Sequence, residues 1–270
     1  MTEPQLDAST VAQAAGVKLS EVTDLAGFAA VQQLFDGIWR PDPGNPTVTT
    51  ELLRALTKSG NYLVAAHRDD RMVGACVAFF GPPGEAMLHS HIAGVIPDLI
   101  GRGVGLALKL HQREWALDRG VRTITWTFDP LVSRNAYFNL VKLGARAAEY
   151  LPDFYGGMHD GINAGDDSDR LLIQWDLHSP EAGETSAEGA VVALGRAEDG
   201  GPAGALDPAG DAETLLVAVP RDVETLRAKD PALARRWRSA LRKVLWPLMD
   251  GGARITGFDK AGWYIVRRAR

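Results

Sequence analysis

The chain is poor in cysteine: Cys76 is the single one in 270 residues, which excludes an internal disulfide framework. No Cys/His cluster has the spacing of a zinc site, and none of the sequence is apolar for long enough to cross a bilayer. The first residues, Met1 to Asp7, are acidic and lack both the basic and the apolar segments of a secretory signal, so a cytoplasmic address is expected. There is no internal repeat. What is present is an ordinary folded composition, with 46% hydrophobic residues, 23% charged residues and a net charge of −5. Cys76 falls in an apolar run and reads as a small core residue.

Charge is unevenly spread. Residues 221 to 270 hold thirteen Lys/Arg against five Asp/Glu, whereas residues 178 to 220 hold one Arg against eight acids. A basic amphipathic helix in an acidic protein reads first as a solvated face or a docking surface, so neither nucleic acid nor membrane is the expected partner.

Leu25, Phe28, Val31, Leu34, Phe35 and Ile38 fall at helical spacing behind Asp24, a suitable N-cap, and a second short helix follows over Thr49 to Lys58. Tyr62 to His67 and Met72 to Phe80 form a strand pair across the polar turn Arg68-Asp69-Asp70-Arg71. A strand over Met87 to Val95, a glycine-rich turn, a helix from Val104 to about Arg119 and a strand over Val121 to Phe128 make a strand-turn-helix-strand unit. A helix from Arg134 to Leu143 stops at Gly144, and strands are expected over Ala145 to Leu151 and Leu171 to Leu177. Residues 178–212 read as an acidic Ala/Gly-rich linker with one short strand. Residues 213–270 read as a small strand-helix-hairpin region in which Asp230-Pro231 restarts the helix.

The informative stretch runs from Ala93 to Leu106. A strand leads into Gly101, Gly103 and Gly105, which open a helix, so several backbone N–H groups can converge on one anion beside the positive helix end. A dinucleotide fingerprint would need glycine where Leu106 stands, and a P-loop would need Gly-Lys-Ser/Thr, which is absent. A plain structural turn is the competing explanation for the glycines alone.

Val95-Ile96-Pro97-Asp98 followed by Gly103-Val104-Gly105 resembles the acyl-CoA motif of the GNAT superfamily. Asn135-Ala136-Tyr137-Phe138 and Lys142-Leu143-Gly144-Ala145 resemble its later landmarks, in the family's order. Ile100 departs from the Arg or Gln the family places there. The resemblance covers about residues 20 to 177 and implies an α+β domain over 1–177, with a mixed, mostly antiparallel central sheet flanked by helices and a smaller C-terminal α+β extension. It implies an acyl-CoA-dependent N-acyltransferase, with acetyl-CoA or succinyl-CoA as co-substrate, no metal, and an amine-bearing small molecule as acceptor. A homodimer is one assembly it admits.

By the same resemblance, the pantetheine arm would pair with the backbone at Ala93 and Val95, and Gly94 would form a bulge that helps the two central strands part. Gly101, Gly103, Val104, Gly105 and Leu106 would serve the pyrophosphate, with Arg102, Lys109 or Lys142 as cationic contacts. The N–H of Val95 or Ile96 would face the oxyanion, and Asn135 and Phe138 would line the arm. Alternation puts His89 and His91 on one strand face, and His91 is the first candidate base; a structural histidine is the alternative. Asp129 is the competing base or a turn residue. Leu140 stands where the family often has a tyrosine acid, which leaves Tyr137, a turn earlier, as substitute or packing residue. Trp39, Arg134, Asp153, Tyr155, His159 and Arg170 are the candidate acceptor-pocket residues. The region as a whole resembles a subgroup associated with N-acylamino-acid racemases, which implies amino-acid acceptors. A non-catalytic acyl-CoA sensor is the alternative function.

Overall fold

In the computed structural model, which describes residues 7–42, 44–157, 166–179, 183–186, 188–204 and 212–269, the chain divides into units of Met1–Thr125 and Trp126–Arg270. The first unit begins with helix α1 (Ala8–Ala14), whose N-cap Asp7 accepts from the Thr10 N–H at 2.8 Å, and edge strand β1 (Lys18–Glu21). Neither is expected from the sequence. Helix α2 (Leu25–Trp39) is capped by Asp24, which accepts from the Gly27 N–H at 2.7 Å, and it stops where Arg40 turns left-handed at φ 50°. Thr49 caps α3 (Thr50–Lys58) in the same way, through the Leu52 N–H.

Strands β2 (Tyr62–Arg68) and β3 (Arg71–Phe80) are joined through Asp69 and Asp70, both at positive φ, the pair of left-handed residues a tight hairpin turn uses. Then come β4 (Met87–Val95), a 3₁₀ turn over Pro97–Leu99, α4 (Val104–Leu117) and β5 (Thr123–Phe128). The strand order is β1-β2-β3-β4-β5, antiparallel except for the β4–β5 pair. One sheet face is covered by α2 and α3: Phe28, Val31, Phe35 and Leu53 pack on Leu63, Ala65, Ala75 and Val77, and each buried side chain of this size contributes roughly 1.5–3 kcal/mol. The other face is covered by α4, for which Gly74 leaves room. A Cβ there would come within 3.3 Å of Leu108 and 3.4 Å of Val104.

The second unit holds the end of β5, helix α5 (Ser133–Tyr137) running into a π-helical turn over Phe138–Lys142, β6 (Arg146–Leu151) and β7 (Arg170–Asp176). A single α-helix is expected over this segment; instead its second half widens to i→i+5 bonding, with Leu143 N–H donating to Phe138 O. Strand β7 lies between β6 and the Trp126–Phe128 half of β5, with Trp126 edge-on to Trp175 at 6.2 Å. A second sheet, ordered β11-β12-β10-β8-β9, is built from β8 (Val191–Arg196), β9 (Pro202–Ala203), β10 (Thr214–Ala218), β11 (Arg254–Asp259) and β12 (Trp263–Arg267). Helices α6 (Val223–Lys229) and α7 (Pro231–Asp250) share Asp230, which ends one and caps the other with Pro231 at the first helical position. The molecule is thus α+β, with mostly antiparallel sheet flanked by helices. Among the described residues no helix is long and apolar enough to cross a membrane.

Candidate functional site

Strand β4 pairs with β3 along its length, but with β5 only at its base, through Met87–Thr123, Leu88–Ile124 and His89–Thr125. Residues 90–95 continue past that ladder. The Ile96 N–H donates to Val73 O at 2.9 Å, so this donor, expected at an oxyanion, is already spent inside the sheet. Successive strand residues direct their backbone polar groups to alternate edges, so Ala93 and Val95 turn theirs toward the edge away from β3.

The bulge in β4 lies earlier than expected. Val77 pairs with Ile92 and Ala78 with Ser90, which leaves His91 as the extra residue. Gly94 is needed for a different reason: a Cβ there would come within 2.7 Å of Trp39 Cη2 and 2.9 Å of Ile38 Cδ1. The register sorts the side chains. Ser90, Ala93 and Val95, opposite Ala78, Cys76 and Gly74, face α4, while His89, Ile92 and Gly94, opposite Phe79, Val77 and Ala75, face α2.

Beyond the strand, Gly101 and Gly103 adopt φ of 78° and 90°, conformations that strain any other residue. Gly103 is the N-cap of α4 and no side chain caps the helix, so the amides of Val104, Gly105 and Leu106 lack intrahelical partners. A Cβ on Gly105 would meet nothing closer than Val95 Cγ2 at 4.0 Å. The Val104 side chain is fully buried and anchors the turn, while Arg102 is exposed. Such a cradle of main-chain donors has the chemistry to hold an anion.

Lys109 does not belong to that cradle. It is buried, and its Nζ donates to Gln112 Oε1 at 2.8 Å and Ser90 Oγ at 3.1 Å, while Gln112 Nε2 donates to Cys76 Sγ at 3.2 Å. Burial lowers its pKa to about 8 and raises that of Cys76. The two histidines do share a face, their rings 6.2 Å apart and both packed on Phe79. His89 is half-buried, with Nδ1 3.1 Å from Thr125 Oγ1; burial, then the charges of His91 and Lys109, lower its pKa to about 4. His91 reaches the surface, and the protein packed around its ring lowers its pKa. The same sheet face carries a pocket of about 470 Å³ whose walls include Leu34, Ile38, Met72 and Ile96, with Arg71 and Asp98 as its charges.

In the second unit, Asp129 is buried and accepts from Arg227 at 2.5 Å and Arg238 at 2.8 Å. Burial alone would raise its pKa, but the guanidiniums of Arg238 and Arg227 overcome this and hold the carboxyl well below the usual carboxylate range. The same two arginines reach Asp166, at 3.0 and 3.3 Å, and Arg242 binds Asp167 and Asp169, the latter also accepting from Tyr150 at 2.5 Å. A general base must give up its charge to a proton near neutral pH; Asp129 is held as an anion instead. This network is not expected from the sequence, although the acidic residues at 166–169 and the arginines of α6 and α7 are complementary in sign.

Of the remaining expected residues, Trp39 ends α2 in the first unit and the others that are described lie in the second. Tyr137 lies under Lys260, whose Nζ is 5.3 Å from the ring centre. Asn135 and Phe138 are half-buried, Leu140 is buried and Lys142 is exposed. Arg134 makes two bonds to Glu224, Arg170 lies 5.3 Å over Tyr155, and Asp153 accepts from the Ser168 N–H. His159 lies outside the described residues. Among the described residues no group of three or more His, Cys, Asp or Glu is placed to hold a metal ion.

No protein-family model matches the chain, and no curated protein matches it. Solved structures do resemble it. They include the ribosomal-protein-S18-alanine N-acetyltransferase of Escherichia coli, with 12% identity, 64% of this chain and 97% of that one covered, and a TM-score of 0.47. A Desulfovibrio desulfuricans protein described as an acetyltransferase of the GNAT family gives 15% identity, coverage of 60% and 99%, and 0.46. Arabidopsis thaliana Naa50 in complex with a bisubstrate analogue gives 15% identity, coverage of 59% and 97%, and 0.48. At such identities and scores, what those proteins act on remains a property of those proteins.

Proposed function

We propose that this chain transfers an acyl group, acetyl or succinyl, from acyl-CoA to the amino group of a small molecule. The observation that carries the reading is the continuity of two sets of backbone donors: the edge of β4 at Ala93 and Val95, and the uncapped start of α4 at Val104, Gly105 and Leu106. The first suits the amides of a pantetheine arm and the second a pyrophosphate, and the left-handed Gly101 and Gly103 let the main chain approach closely. Arg102, exposed beside the cradle, adds a cation.

Bound acyl-CoA would supply an activated thioester. His91, surface-accessible on the face opposite α4, takes the proton from the attacking amine, its lowered pKa keeping it neutral at pH 7. His89 packs behind it through Phe79 and holds Thr125. The pocket with Arg71 and Asp98 offers one charge of each sign, which suits an amino acid's carboxylate and ammonium and agrees with the resemblance to the racemase-associated subgroup. The chain would act in the cytoplasm, with a homodimer as its proposed assembly.

A non-catalytic acyl-CoA sensor is the second reading. It is favoured by the ion-paired state of Asp129 and by the buried Leu140 where a tyrosine acid is often found. Thiol release from acetyl- and succinyl-CoA, measured with a panel of amines and amino acids, separates the two. Turnover with any acceptor supports the enzyme; saturable binding with no turnover supports the sensor; no binding removes both.

A further inference from the structure

Trp39 is the last residue of α2, and its position is determined from three sides. Its ring covers the bare backbone of Gly94, where even a methyl group would come within 2.7 Å of it. Phe35 meets it edge-on at 5.4 Å. The left-handed Arg40, whose N–H closes on Asp36 O at 2.8 Å, turns the chain away immediately afterwards. Phe35 is buried in the core, so the indole is braced against a rigid base, yet Trp39 itself is only half-buried.

Gly94 lies between Ala93 and Val95, the two residues whose backbone groups face the unpaired edge of β4. A tail docked along that edge comes from the anion cradle, on the α4 side of the sheet. On the acyl-CoA reading its end would reach the α2 side, which Ile92 and Gly94 face. A group extending from that end runs toward the indole. On that reading the ring would be a wall beside the acyl chain, held there because residue 94 has no side chain.

We infer that Trp39 sets the length of the acyl group, admitting acetyl and excluding longer chains, with Gly94 as its seat. The inference rests on the acyl-CoA reading above and narrows it. One methylene more or less in such a pocket changes discrimination by roughly 10- to 200-fold.

The test is the full chain assayed for thiol release from acetyl-, propionyl-, butyryl- and succinyl-CoA with one accepted amine, the readout being the ratio of kcat/KM values between acyl groups. Wild type should prefer acetyl over butyryl by roughly tenfold or more, and Trp39→Ala should reduce that ratio by about tenfold or more. Trp39→Phe, which keeps an aromatic ring on Gly94, should shift the ratio in the same direction by less, and it carries the test if the alanine variant does not fold. An unchanged ratio in a folded variant, or a wild type indifferent to chain length, overturns the inference while leaving acyl transfer standing. A wild type that binds no acyl-CoA overturns the underlying reading as well.

Discussion

The two units use the same polar chemistry in opposite ways. In Met1–Thr125 Lys109, Ser90 and Gln112 satisfy one another, but a second set of polar groups at β4 and α4 is left open: backbone edges at Ala93 and Val95, uncapped amides from Val104 to Leu106, and a surface imidazole at His91. In Trp126–Arg270 they are closed, with Asp129, Asp166, Asp167 and Asp169 against Arg227, Arg238 and Arg242. Open groups are available to a ligand, whereas paired ones have already given their interaction to the fold. An aspartate at the end of a central strand is therefore a catalytic candidate only while it is unpaired, and Asp129 is not.

Substitutions sharpen that contrast, and the largest effect should come from the closed side. Arg238→Met leaves the buried Asp129 and Asp166 to share Arg227 alone, and should cost about 3 kcal/mol in denaturant unfolding of the full chain. The same variant should lose part of its acid sensitivity. The folded-state pKa of Asp129 is depressed, so its contribution is complete above the ordinary carboxylate range and disappears as pH falls through and below it. A variant as stable as wild type with unchanged acid unfolding would mean that the pairs do not close this unit.

On the open side, His91→Ala should lower kcat by roughly a hundredfold or more at pH 7 with acyl-CoA affinity little changed. In the wild type kcat/KM should show a rising limb through a value below the usual histidine pKa, because the neutral ring is the active form. Wild-type turnover in the variant would remove His91 from the chemistry. Gly103→Asp should weaken acyl-CoA by about tenfold or more, since the left-handed backbone alone costs about 1–2 kcal/mol in a non-glycine residue and the carboxylate adds repulsion. Undiminished affinity by calorimetry would exclude the cradle. The smallest effect belongs to an exposed pair: Arg236→Ala removes a 3.9 Å contact to Asp199 and should change stability by about 0.5 kcal/mol or less.

What the sequence made legible is mostly local. Asp24, Thr49 and Asp230 announce their helices, and glycines spaced between a strand and a helix announce the left-handed turn that opens α4, because each signal lies within a few residues of its effect. Edge strand β1, a four-residue piece with one partly covered apolar side chain, has no such pattern. The bulge position depends on pairing between β3 and β4, so Gly94 was the natural guess and His91 the outcome. Lys109 looks like a surface cation until Ser90 and Gln112 are brought around it. The Asp129 network joins residues 98 and 109 positions apart, a separation at which no spacing rule speaks.

The aspartate–arginine network also makes its members interdependent over evolutionary time. A lineage that replaced Arg238 with an uncharged residue would leave the two carboxylates of Asp129 and Asp166 to share the one guanidinium of Arg227, and would gain by neutralising one of them as well. Substitutions at Asp129, Asp166, Arg227 and Arg238 should therefore arrive in sets across related chains, whereas an exposed position such as Arg236 is free to drift alone.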